Sequence, residues 1–70
     1  MQLDDSHMQM MVYAIGSAVI ELVITDAFIN RESIIEQLEK NRRLTGNVIG
    51  KAVNRDAAQL IRTGKYEAGQ

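Results

Sequence analysis

The chain has 70 residues, 46% of them apolar, with neither cysteine nor proline. That size limits it to one small domain with a thin stability margin, and the missing cysteine excludes disulfide staples and thiolate chemistry. Its net charge of −1 conceals a division: residues 1–39 carry −6 and residues 40–70 carry +5, an asymmetry that speaks of interaction rather than fold.

The first predicted element is a helix over residues 6–26, with Ser6 or Asp5 able to cap its free N–H groups. At 100° per residue, Met8, Met11, Val12, Ile15, Val19, Leu22 and Val23 form one broad apolar face, and Tyr13, Ile20 and Ile24 form a second stripe. One short partner helix cannot cover both, so a homodimer is the economical expectation. Its contacts are expected at Met8, Met11, Val12, Ile15, Gly16, Val19, Leu22 and Val23, with Gly16, Ala14 and Ala18 permitting close backbone approach. Ala18–Thr25 is rich in β-branched residues and is ambiguous with a strand, but nothing downstream alternates well enough to pair with it. The uncharged run from Met8 to Ile20 is shorter than the roughly 20 residues a bilayer span needs, and its flanks are acidic, so no membrane contact is expected. The acidic start, Met1-Gln-Leu-Asp-Asp, does not read as a secretory leader, and a cytoplasmic location is the expectation.

The second helix is predicted over residues 31–44. Asn30 is its N-cap, and Ile29 is placed to pack on Ile34 as a hydrophobic staple. Glu32 lies in the first turn and Arg42 and Arg43 in the last, as the helix dipole favours. Glu36–Lys40 and Glu39–Arg43 are spaced as i,i+4 ion pairs, and Ile34, Ile35 and Leu38 supply the buried stripe. Leu44-Thr45-Gly46-Asn47 breaks the helix, with Gly46 as a candidate C-cap. A third helix follows over residues 48–62, capped by Asn47 or Thr45 and stopped by Thr63-Gly64. Ile49, Val53, Ala57, Leu60 and Ile61 form its apolar side, and residues 65–70 read as a loose tail.

Candidate chemistry is sparse. His7 is the only histidine, and with Asp4 and Asp5 as its only local companions it falls short of the four convergent ligands zinc requires. Glu21 and Asp26 do not share a helical face, and no base is placed against Ser6, Ser17 or Ser33. Gly46-Asn-Val-Ile-Gly50 lacks the Gly-Lys-Ser/Thr ending and the preceding strand of a phosphate loop. No catalysis, cofactor, metal or small-molecule substrate is therefore expected. The basic residues are the real candidates: Lys51, Arg55 and Arg62 fall within about 40° of one another on the third helix, and Lys40, Arg42 and Arg43, clustered at the preceding helix end, extend the patch across the turn. Such a stripe suits an acidic protein partner, or DNA phosphates as the alternative, although no exposed helix face offers a set of groups suited to base edges.

Ile15-Gly16, Val19 and Leu22, then Asn30-Arg31, Ile34 and Leu38-Glu39, together resemble the pattern of the small enterobacterial biofilm-development and acid-resistance proteins typified by AriR/YmgB, over about residues 12–61. The resemblance implies an all-helical homodimer that acts as a regulatory connector to a phosphorelay, with effects on biofilm and acid resistance and a suggested DNA-binding role. Two departures stand out. The Met8–Met11 run replaces an acidic residue of the family, and the connection Asp26-Ala-Phe-Ile29 lacks the usual glycine and is unusually apolar. The family offers no catalytic residue to carry over.

The expectation is thus an all-α protein: a long N-terminal helix and two shorter ones in a homodimeric bundle or coiled-coil-like assembly. Its activity is expected to be regulatory and non-enzymatic, through protein–protein contact. A DNA-binding modulator is the first alternative. A structural assembly subunit, using Tyr13, Ile20 and Ile24 as an open-ended second interface, is the other.

Overall fold

A computed structural model describes residues 6–65 and contains three helices: α1 (Ser6–Ile24), α2 (Arg31–Leu44) and α3 (Val48–Thr63). There is no strand among the described residues, so the β-branched run at the end of α1 is helical. Asp5 and the tail beyond Lys65 lie outside the described residues; Ser6 is the first residue of α1 rather than a residue ahead of it.

α1 stops at Ile24, two residues before the expected end, and the backbone shows why. Asp26 adopts a left-handed φ of 58°. The Asp26 N–H donates to the Val23 carbonyl at 3.1 Å and the Ala27 N–H to the Leu22 carbonyl at 2.9 Å. This is the Schellman pattern, in which a left-handed residue lets the chain fold back onto the last carbonyls. Glycine fills that position without penalty, whereas an L side chain there is crowded by about 1–2 kcal/mol. Asp26→Gly is therefore expected to stabilise the protein by about 0.5–1 kcal/mol after glycine's larger unfolded-state entropy is subtracted. Thermal unfolding followed by circular dichroism checks this, at roughly 4–8 °C per kcal/mol for a domain of this size; an unchanged or lower Tm would show that the aspartate side chain has a compensating role.

α2 begins as expected at Asn30, whose Oδ1 accepts the Ser33 N–H at 2.8 Å while the Asn30 N–H donates to Ser33 Oγ at 2.9 Å. The reciprocal pair is a capping box with serine in the place usual for Glu or Gln. At its other end the C-cap is Thr45, in an extended conformation. Gly46 does not take a left-handed φ; Gly64, at 72°, is the only glycine among the described residues that does, and it ends α3. Asn47 caps α3 by accepting the N–H groups of Ile49 and Gly50. Gly50 packs closely on the preceding turn: a Cβ there would lie 3.0 Å from Thr45 Oγ1, so the Thr45 side chain would have to give way to a larger residue. Thr45–Asn47 is thus the compact helix-to-helix turn, and Val48–Gly50 already forms the start of α3.

The most extensive pairing is α2 with α3, and α1 packs on both. Met11, Ala18, Leu38, Val53, Ala57 and Ala58 form the continuous core, with Ala14, Ile15, Ile34, Ile35, Leu60 and Ile61 packed around it. Ala57 and Ala58 are fully buried, small side chains that let α3 approach its neighbours closely; the expected apolar side of α3 omitted Ala58 and included Ile49, which is exposed.

The faces of α1 are also redrawn. Met8, Met11 and Leu22 are buried within the chain's own core, so they are not available to a second copy as expected. Their spacing at i, i+3 and i+14 places them on one side of the helix with Ile15 and Ala18. Ile15 and Val19 are half-buried, while Val12, Gly16 and Val23 are exposed and join Tyr13, Ile20 and Ile24 on a single outer face. Gly16 has open space around it, and the close approach inside the chain is made through buried Ala18 instead.

Candidate interaction surfaces

The basic stripe of α3 borders α2, and most of its charge is engaged there. Lys51 Nζ donates to the Arg42 carbonyl oxygen at 3.2 Å, near the negative end of α2, a placement the helix dipole favours. Arg62 Nη2 lies 3.6 Å from Glu39 Oε2 and Arg42 Nη1 lies 3.1 Å from Glu39 Oε1. One carboxylate therefore holds two guanidinium groups from two helices. Glu39 was expected to pair with Arg43, four residues on; the arrival of Arg62 on the α3 side draws it to Arg42 instead. Neither Glu36–Lys40 nor Glu39–Arg43 closes as an ion pair.

Arg55 turns to its neighbour: its Nε donates to Asp56 Oδ1 at 3.1 Å. Asp56 Oδ2 in turn lies 2.9 Å from His7 Nε2, tying the first turn of α1 to the middle of α3. Partial burial pushes the Asp56 carboxyl upward, but the hydrogen bonds and charges of Arg55 and His7 outweigh it and hold the group below its ordinary value. A depressed carboxylate stabilises the fold above the unfolded-state pKa, and that contribution disappears as pH falls through the folded-state pKa. Urea titrations from neutral pH to below about pH 4, the ordinary aspartate range, should thus show a steeper acid loss of stability in the wild type than in Asp56→Asn. Parallel profiles would remove Asp56 from the acid transition. His7 and Asp56 were not foreseen as partners, since 49 residues separate them and no local spacing connects them. No group of three or more His, Cys, Asp or Glu side chains gathers into a metal site among the described residues.

Other polar side chains also serve the fold. Asn41 Nδ2 donates to Glu21 Oε1 at 2.8 Å, joining α2 to α1. A groove of about 420 Å³ opens beside this contact between α1 and the α2–α3 turn, with Tyr13, Ile49 and Val53 among its apolar walls and Ser17, Asn41 and Asn54 among its polar ones.

No protein-family model, curated protein or solved structure matches the chain. Its surfaces must carry the functional reading.

Besides the exposed Leu44, Val48 and Ile49 around the α2–α3 turn, two surfaces are candidates for contact. The first is the outer face of α1. Tyr13, Gly16, Ile20 and Val23 repeat at intervals of three and four residues and are all exposed, Tyr13 at 78% and Ile20 and Val23 at 59% each. That is the spacing of a helix–helix seam, and no charged residue lies between Met8 and Ile20. α1 is also long and apolar enough to cross a membrane. In this fold, however, its inner face packs on α2 and α3, and their charged outer surfaces would have to enter the bilayer with it. The second surface is the corner where the α1–α2 connection meets the outer side of α2. There Phe28, Lys40 and Arg43 line one groove, and neither Lys40 nor Arg43 has an ion-pair partner among the described residues.

Proposed function

We propose that the chain is a non-enzymatic regulatory module that works through protein–protein contacts as a homodimer. The observation that carries this reading is the uncharged, exposed apolar seam of α1. Apolar helix faces of this extent are stable in water when covered, and an uncharged seam can meet its own copy across a two-fold axis without like-charge repulsion. Gly16 leaves room for the facing helix at its centre. Under this reading the three-helix unit supplies the scaffold, the seam supplies the dimer, and the charged outer surfaces of α2 and α3 face partners. A component of a phosphorelay is the partner class that the sequence resemblance implies.

Sedimentation equilibrium over a micromolar-to-millimolar range tests the dimer. A mass of two chains at the upper end supports it, and a single-chain mass throughout overturns it. The DNA-binding alternative is less favoured because Lys51 and Arg62 reach α2 and Arg55 is paired with Asp56, which lowers the number of cations free for phosphate. Duplex DNA titrated at two salt concentrations decides it. Steeply salt-dependent binding, lost in the Lys51→Ala/Arg55→Ala/Arg62→Ala variant, would reverse the ranking.

A further inference from the structure

We infer that the corner formed by the α1–α2 connection and the outer face of α2 docks an acidic, amphipathic segment of another protein, with Phe28 as the apolar anchor and Lys40 and Arg43 as its charge partners. The inference rests on the protein–protein reading above and moves its contact site away from the α3 stripe.

Three observations converge on this corner. Phe28 is the chain's only phenylalanine and is 89% exposed, with Ile24 and Ile29 exposed on either side of it in sequence. An aromatic ring held in water is unfavourable for a monomer, and aromatic anchors dominate the energetics of many interfaces. Phe28 is also held in place from both directions. The Schellman turn fixes residues 22–27 and the capping box fixes Asn30 through Ser33, so the ring projects from a backbone ordered on both sides, and binding has less entropy to lose.

Charge supplies the second argument. Arg42, Lys51, Arg55 and Arg62 are engaged within the chain. Lys40 and Arg43 are exposed and line the same groove as Phe28. Of the two acids in that groove, Glu39 is neutralised by Arg42 and Arg62, and Glu36 also borders a neighbouring groove shared with Arg31 and Arg62. Two uncommitted cations therefore stand beside an exposed ring against one uncommitted carboxylate.

The third argument concerns the occupant. A second copy docking by a two-fold axis through this corner would place Lys40 and Arg43 against themselves, whereas the α1 seam has no such conflict. DNA would use the two cations but leave Phe28 uncovered. A segment with carboxylates on one side and apolar residues on the other satisfies both features, in the helix-in-groove mode.

The test uses the whole isotope-labelled chain and a short synthetic helical peptide with leucine on one face and glutamate on the other, together with a twin in which lysine replaces glutamate. Saturable binding of the glutamate peptide is expected, with amide shifts centred on Ala27–Ile29, Lys40 and Arg43. Affinity should fall at least ~10-fold in Phe28→Ser and in Lys40→Glu/Arg43→Glu, and remain unchanged in Lys51→Glu/Arg55→Glu. All of these side chains are exposed, and circular dichroism confirms that each variant is folded. Equal binding of the lysine twin overturns the inference. Shifts centred on Lys51, Arg55 and Arg62, with Phe28→Ser still binding, overturn it while leaving the protein–protein reading standing. A rise in sedimentation mass abolished by Phe28→Ser would assign the corner to a second copy and likewise overturn it. If neither peptide binds and duplex DNA does, both this inference and the broader reading fail.

Discussion

Leu38→Ala is expected to lower the unfolding free energy by about 3 kcal/mol, within the 2–5 kcal/mol span of buried leucine truncations. Leu38 is 0% exposed and is among the largest fully buried side chains. It lies in mid-α2 within the cluster of Met11, Ala18, Val53, Ala57 and Ala58, so no shift of one helix can refill the space. A core this small supplies only about 3–5 kcal/mol in total, and the variant should be largely unfolded at physiological temperature. Urea denaturation at fixed protein concentration checks the prediction; concentration must be held because dimerisation would add to apparent stability. Leu44→Ala is the control. Leu44 is 72% exposed, and its truncation should stay within about 0.5 kcal/mol of the wild type. A loss below about 1 kcal/mol for Leu38→Ala would mean that α2 does not present this face to α1 and α3.

Much of the architecture was legible because helix boundaries depend on local chemistry. Asn30, Asn47 and Gly64 act within a turn of where they stand, and each caps the helix it was expected to cap or stop. The two misread ends also have local causes. Asp26 takes a left-handed conformation that Asn and Asp adopt more readily than other non-glycine residues, but the predicted α1 includes it as the last residue rather than as the turn that ends the helix. Gly46 attracted the C-cap assignment by its type, while Thr45 performs it in an extended conformation. Ser33 was weighed only as a nucleophile without a base; read as the fourth residue of Asn30-Arg-Glu-Ser, it is a capping-box partner.

The surfaces were less legible, because sequence spacing identifies which side chains share a face but not what lies opposite. Lys51 and Arg62 do share a face of α3, but each reaches across to α2, Lys51 to the Arg42 carbonyl and Arg62 to Glu39. The same holds for α1: periodicity found an excess of apolar surface, but which part of it the chain buries depends on where α2 and α3 pack. They take the side containing Met8, Met11, Ala18 and Leu22 and leave the side containing Gly16. Phe28 and Ile29 drew notice as an apolar departure in the connection, yet that both stay exposed rather than packing on the core becomes visible only in three dimensions.

Under the proposed dimer, Ile20→Glu is expected to abolish association while leaving the protomer folded. Ile20 is 59% exposed on the outer face of α1, so a glutamate there points into water in the single chain and should change its stability by no more than about 0.5 kcal/mol. Across a two-fold seam the same substitution sets two carboxylates face to face and removes two apolar side chains from the contact. The dissociation constant should rise at least ~100-fold, equivalent to about 2.7 kcal/mol, which sedimentation equilibrium reads as a single-chain mass where the wild type is dimeric. The contrast with Leu38→Ala is diagnostic: one variant loses its fold, the other only its partner. Gly16→Ala sharpens the location of the seam. A Cβ at Gly16 meets nothing within the chain, so alanine should stabilise the protomer by about 0.5–1 kcal/mol through helix propensity. If a second helix crosses at Gly16, that same methyl separates the two backbones, and dimer affinity falls while protomer stability rises. Opposite signs in the two measurements place the crossing at Gly16; parallel gains in both place it elsewhere along the face, nearer Tyr13 or Val23.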